Sequence, residues 1–243
     1  MRTMHLFSGA GGGLLADLIL GHEPVVAVEW DDYCCRVLRE RAADGWFPGL
    51  HVHEGDVRLF DPSEYAGRVD CIAAGFPCQD VSNAGARAGL GEGTRSGLYR
   101  EVLRIAGTVR PRYLFLENVA AIIPLLGTVL GDLAALGYDC RWLCLRASAV
   151  GAPVDRDRWW CLASSNASMG EARPRCVLSV ERPLFGSKSS LDAANCESYW
   201  LEVARAFAGA HDAMADRLHR TAALGNGQVP IQAAVAWRLL GGP

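Results

Sequence analysis

Two short segments hold side chains whose types could break and make bonds. Cys78 stands between Pro77 and Gln79 in a loop-like stretch, and Glu117 and Asn118 follow a later apolar run. A thiolate is a strong nucleophile and a carboxyl group can deliver or hold a proton, so the pair suits covalent attack assisted by an acid. Taken singly, each has a plainer reading: a loop thiol of no consequence, and a helix-capping Glu-Asn. The chain has nine cysteines at irregular spacings with no C-x-x-C pair. Cys34, Cys35, Cys71, Cys140, Cys144 and Cys161 lie in apolar or amphipathic runs, which suits small buried core residues and argues against a metal site.

A second group of residues suits a cofactor. Phe7, Ser8, Gly9, Ala10, Gly11, Gly12 and Gly13 follow a first apolar run and open a helical pattern. Glycines there let the backbone turn sharply and approach a ligand, while helix-end amides supply donors. Glu29 ends the second run, where a doubly wound fold places a carboxylate on ribose hydroxyls. Trp30 follows with a flat ring able to stack on adenine, and Asp56, after a third step, can accept from an adenine amino group. Each alone reads equally well as a tight turn or a surface side chain. In this order they favour an adenosine-containing cofactor, without separating a nucleotide from S-adenosylmethionine.

These residues need a frame that brings them to one edge. Residues 4–7, 25–29, 69–74, 112–116, 138–145 and 157–163 read as strands, and residues 14–20, 31–43, 96–109 and 122–136 as helices. Alternation of the two implies an α/β fold with a doubly wound, largely parallel sheet, whose strand C-termini face the ligand crevice. Cys78 and Glu117 then reach the same side as the glycine loop. With no helix between them, the last two strands form an antiparallel hairpin. Residues 83–95, with Gly85, Gly89, Gly91, Gly93, Arg87 and Arg95, read as a long loop able to close over a substrate.

The texture divides the chain into a catalytic domain over residues 1–163, a small irregular region over 164–220, and a C-terminal segment over 221–243. Helices are expected at residues 201–218 and 231–240. With 243 residues, half of them apolar, one sizeable core is expected. A net charge of -3 argues against a general nucleic-acid coat protein but leaves room for a local basic face. The sequence has no long uncharged apolar run and no signal-peptide pattern, so a cytoplasmic location is expected.

Together the motifs resemble the DNA (cytosine-5)-methyltransferases. The matching pieces occur in that family's order: the glycine loop from Phe7 to Gly12, Glu29-Trp30, Gly55-Asp56, Gly75-Phe76-Pro77-Cys78-Gln79, Arg95 to Leu98, Glu117-Asn118-Val119, Arg156-Asp157-Arg158, and Leu224 to Pro230. The resemblance spans nearly the whole chain and looks most like short phage or prophage members. It implies an S-adenosylmethionine-dependent methyltransferase (Rossmann-like) sheet with a reduced target-recognition region at 164–220. It implies Cys78 as the nucleophile at cytosine C6, Glu117 on the base, and Arg156 and Arg158 as anchors. Phe7, Ser8, Gly9, Ala10, Gly11, Gly12, Glu29, Trp30, Asp56, Val57, Gly75, Pro77, Asn226 and Val229 would line the S-adenosylmethionine pocket. Pro77, Gln79, Ser82, Arg95 and Asn118 would meet the substrate. Double-stranded DNA is the implied partner, with a cognate restriction endonuclease as a further one; no membrane and no metal are expected. The C-terminal helix is expected to fold back beside the first strand.

The chain departs from the family in three places. His5 stands where an acidic residue is common, and Val154 where glutamine is usual. The recognition region is short, with Arg173, Arg175, Arg182 and Lys188 as candidate phosphate contacts. Two other readings stay open: a tRNA cytosine-5 methyltransferase, and a catalytically impaired cofactor- or DNA-binding homologue.

Overall fold

A computed structural model describes residues 1–77, 97–152, 156–165 and 227–243. Seven strands form one sheet in the order β3-β2-β1-β4-β5-β7-β6. They are β1 (Arg2–Leu6), β2 (Glu23–Glu29), β3 (His51–Glu54), β4 (Cys71–Gly75), β5 (Tyr113–Val119), β6 (Tyr138–Arg146) and β7 (Asp157–Ser165). The first five pair in parallel. β7 inserts antiparallel between β5 and β6, which confirms the expected terminal hairpin.

The helices begin and end where local chemistry allows. α1 (Gly12–Leu20) starts after Gly11 at φ 98° and stops at left-handed Gly21. α2 (Asp32–Ala43) is capped by Asp31, whose carboxylate accepts from the Cys34 amide. α3 (Leu98–Val109) and α4 (Leu126–Ala135) cover one face of the sheet, and α5 (Pro230–Leu239) opens on a proline at its first position.

Period-two alternation assigns the strand side chains to two cores. Met4, Leu6, Val26, Val28, Ile72, Leu114 and Leu116 meet Tyr99, Val102, Ile105, Val129 and Leu133 of α3 and α4. On the other face Ala73, Tyr113, Phe115, Trp160 and Leu162 meet Ala16 of α1 and Ala233 and Trp237 of α5. The Trp237 ring stands edge-on to Tyr113 and Phe115, with centroids 5.6 and 5.3 Å away.

Three features differ from the sequence reading. β3 was not expected: it is a four-residue edge strand, half histidine, with too little apolar alternation to stand out. The helix expected from 122 begins instead as a 3-10 turn, Ala120–Leu125, because Pro124 cannot join an α-helical ladder. α5 folds back as expected but packs beside α1, over β5 and β7, and not along β1 itself.

Between α1 and β1 lies a buried polar cluster. Asp17 accepts from Thr3 Oγ1 at 2.5 Å and meets His5 Nε2 at 2.6 Å and His22 Nδ1 at 3.1 Å. His5 is thus a satisfied core residue facing α1. Burial pushes the Asp17 carboxyl up, but the two histidines and Thr3 outweigh it and hold the group far below its ordinary 3.8. A depressed folded-state value stabilises the fold above the unfolded value and loses that contribution as pH falls towards the folded one. We expect Asp17→Asn to cost about 3 kcal/mol at neutral pH, since it breaks a buried pair. In urea titrations the gap from wild type should narrow below about pH 4. A gap that stays constant down to about pH 2.5 would mean Asp17 is not ionised in the fold.

Candidate active site

All parallel strands end on one edge, and each delivers one candidate group there. At the end of β1 the chain turns through Phe7 at φ 56°, an uncommon left-handed conformation for a side chain with a Cβ. Gly9 and Gly11 are also left-handed, so the loop winds tightly before α1. Ser8 ties the turn down: its hydroxyl donates to the carbonyls of His5 (3.1 Å) and Val28 (3.3 Å). Ala10 is buried against Cys34 and Val37.

Glu29 closes β2. Its Oε2 accepts from the Gly9 amide at 2.7 Å, and its Oε1 from the amides of Trp30 (2.9 Å) and Asp31 (3.0 Å). The carboxylate is therefore fixed at the lip of the glycine loop with lone pairs left over. Trp30 is 75% exposed, so a large ring faces solvent beside it. Asp56 follows β3; its carboxylate caps the turn at Arg58 N and is gripped by the Arg58 guanidinium, which holds it below the usual carboxylate range. Val57, next to it, is buried in the core. Burial together with Glu29 raises both α2 thiols, Cys35 to about 12, which marks them as inert.

The second half of the site sits one strand pair away. Gly75, the last residue of β4, lies opposite Glu117 of β5. Glu117 is 7% exposed and was expected just past its strand; β5 runs on to Val119, so Glu117 and Asn118 are strand residues. Glu117 pairs with Trp160, and Arg158 is two residues from Trp160, hence on the same face. Arg158 Nε reaches Glu117 Oε1 at 2.8 Å. Burial pushes the Glu117 carboxyl up against the pull of Arg158, Arg156 and Gln228. Arg156 is itself lowered by burial and by Arg158, with Glu117 opposing.

Asn118 points across the sheet. Its amide donates to the Phe76 carbonyl at 3.0 Å and its Oδ1 accepts from the Val119 amide at 2.8 Å. That bond fixes the backbone just before Pro77, from which the chain leads to Cys78. Cys78, Gln79, Ser82, Arg95 and Asn226 lie outside the described residues, as does Val154.

Two glutamines were not singled out from the sequence. Gln232 of α5 is fully buried and donates to the carbonyls of Leu145 (2.7 Å) and Arg156 (3.0 Å), so it anchors the start of β7. Gln228 enters between α1 and β4: a Cβ on Gly12 would lie 2.1 Å from its carbonyl oxygen. Val229 caps α5 and is buried with Ala147 and Ala152.

The model of the C-5 cytosine-specific DNA methylase family matches residues 1–190. The chain is 35% identical over 165 residues to the Type II methyltransferase M.CviJI of Paramecium bursaria Chlorella virus IL3A, covering 67% of this chain and 42% of that one. It is 36% identical over 170 residues to the Type II methyltransferase M.Eco47II of Escherichia coli, covering 68% and 39%. This chain thus spans less than half the length of either relative. Among solved structures, a DNMT2 variant of Spodoptera frugiperda superposes with a TM-score of 0.59 at 22% identity, covering 74% of this chain and 55% of that one. A putative DNA modification methyltransferase encoded within a prophage of E. coli gives 0.56 at 24% identity, covering 69% and 47%. The shared fold is that of the methyltransferase sheet.

The close approach at Gly12 yields a direct check. Gly12→Ala drives a methyl group into the Gln228 backbone, a clash relieved only by moving α1 or the C-terminal segment. We expect a loss of about 1–3 kcal/mol in chemical denaturation, with faster amide exchange over residues 227–243. Unchanged exchange there would mean the segment is not seated on α1.

Proposed function

Since the chain belongs to the C-5 cytosine-specific DNA methylase family, we propose that it transfers a methyl group from S-adenosylmethionine to C5 of cytosine in double-stranded DNA, with Cys78 as nucleophile. One observation carries this reading. A buried carboxyl, Glu117, is paired with Arg158 at the end of β5, beside the strand that leads into Pro77-Cys78 and on the same edge as Glu29, Trp30 and Asp56.

The residues present fit an adenosine-bearing methyl donor. The Trp30 ring has no ring contact among the described residues and offers a stacking face. Glu29 presents a fixed carboxylate for vicinal hydroxyls, and Asp56 a second for an exocyclic amine once Arg58 gives way. Gly9, with nothing within 4 Å of where a Cβ would stand, leaves room beside the backbone for the rest of the molecule. When bound, the donor supplies an electrophilic methyl on a sulfonium.

C5 of cytosine is a poor nucleophile, and the chain's own residues must change that. The Cys78 thiolate adds to C6, which turns C5 into an enamine-like carbon. Glu117 meets N3 and the exocyclic amine, and a proton held there relieves the charge that builds on the ring. Arg158, already on Glu117, and Arg156 neutralise what remains. After C5 has taken the methyl, a base removes its proton and the Cys78 sulfur leaves, restoring the ring and the thiolate. A base in a duplex cannot reach this edge, so the cytosine swings out at a cost of about a few kcal/mol. Asn118 serves by holding the Phe76 backbone, and Gln232 by holding Arg156.

Double-stranded DNA is the proposed macromolecular partner. Among the described residues no helix is long and apolar enough to cross a membrane, and no cluster of three or more His, Cys, Asp or Glu side chains could hold a metal.

The deciding experiment supplies labelled S-adenosylmethionine with unmethylated duplex DNA and with bulk tRNA. We expect label on DNA cytosine C5, none with Cys78→Ala, and a loss of about 10²–10⁴-fold in rate with Glu117→Gln. Label on tRNA alone would move the substrate to RNA. Cofactor binding without transfer to either would mean a catalytically impaired homologue.

A further inference from the structure

Resting on that reading, we propose that Gln228 is a positioning residue for Glu117: its side-chain amide, carried in on the C-terminal segment, fixes the carboxyl in the orientation in which it meets the cytosine ring.

The case begins with the space made for Gln228. Three positions around it lack a side chain. A Cβ on Gly12 would fall 2.1 Å from the Gln228 carbonyl oxygen, one on Gly13 2.6 Å from its Oε1, and one on Gly75 3.2 Å from its Nε2. These glycines come from the start of α1 and the end of β4, two elements far apart in sequence. A residue that only filled space could be apolar, and one such clearance would serve.

The amide is also directed. Nε2 lies toward Gly75, where Glu117 Oε2 stands 3.0 Å from the same absent Cβ, so the two groups face one spot, and the Gln228 amide is among the groups that pull the Glu117 carboxyl down against burial. Oε1 lies toward Gly13, where His5 Nδ1 is also within 3.0 Å of the absent Cβ. Only the NH₂ end can donate to a carboxylate, so this orientation matches the chemistry. Arg158 alone would hold one oxygen, Oε1, and leave the carboxyl free to swivel. A second donor from the opposite side fixes its plane. Both donors favour the ionised group and so moderate the rise that burial causes. His5 in turn is held by Asp17, so the positioning extends back into the buried cluster beneath α1.

Gln228→Met keeps the length and volume and removes the donor. Gly75→Ala leaves Gln228 intact and wedges a methyl between the two groups. Each is made in the wild-type and the Glu117→Gln backgrounds of the full chain. Single-turnover transfer is measured at saturating S-adenosylmethionine and duplex DNA, with the cofactor Kd and melting temperature alongside. We expect each to slow transfer about 10–100-fold in the wild-type background, and Gln228→Met to keep the cofactor Kd within about threefold of wild type. In the Glu117→Gln background the further loss should be no more than about twofold, because the group acted upon is gone. Equal losses in both backgrounds would overturn the assignment and make Gln228 a packing residue. For Gln228→Met, a weakened Kd with an unchanged saturated rate would also overturn it, placing Gln228 at the cofactor lip. Absence of transfer by the wild-type chain would instead remove the methyltransferase reading, and this assignment with it.

Discussion

Glu117 carries a carboxyl into the centre of a sheet, between Gly75 on one side and Trp160 on the other. An ionisable group taken this far from water is tolerated only if its partners are in place before any ligand arrives. Much of the architecture on that edge follows from supplying them. β7 runs antiparallel next to β5, and this puts Arg158 on the same face as Glu117 and 2.8 Å from it. A further parallel strand in that place would bring a different residue to the site. The hairpin that closes the sheet is thus also the device that completes the site.

The C-terminal segment serves the same constraint from the opposite direction. Trp237 packs α5 on Tyr113 and Phe115, next to the strand residues flanking Glu117. Earlier on that segment, Gln232 pins the backbone of Arg156, and Gln228, ahead of the helix, lies beside Gly75 with the Glu117 side chain. The glycines of α1 and β4 have two roles. Gly9 and Gly11 shape the turn toward the proposed cofactor side, while Gly12, Gly13 and Gly75 clear the way for Gln228. A single glycine-rich run therefore joins the proposed cofactor lip to the group proposed to hold the base.

Much of this was legible in the sequence because it is local. The alternation of apolar runs and helical patterns gave the parallel sheet, the lack of a helix between residues 138–145 and 157–163 gave the hairpin, and Glu29 and Trp30 fell at the end of β2 as the periodicity required. What escaped is non-local or too short to have a period. β3 is a charged edge strand of four residues, and Pro124 alters only the entry to α4. The length of β5 depends on pairing with β7, so Glu117 and Asn118 were placed one step too late. Asn118, expected on substrate, bonds the Phe76 backbone, and Gln228 gains its meaning only from contact with segments more than a hundred residues away.

The account stands or falls on covalent attack by Cys78 at a cytosine presented to Glu117. A duplex carrying 5-fluorocytosine tests this, because fluorine at C5 cannot leave as the proton does and the adduct is trapped after methyl transfer. Intact-protein mass spectrometry should show a complex that depends on S-adenosylmethionine, with the DNA mapped by peptide digestion to Cys78. A chain that methylates ordinary duplex DNA yet forms no such complex, or forms it at another cysteine, would contradict the mechanism.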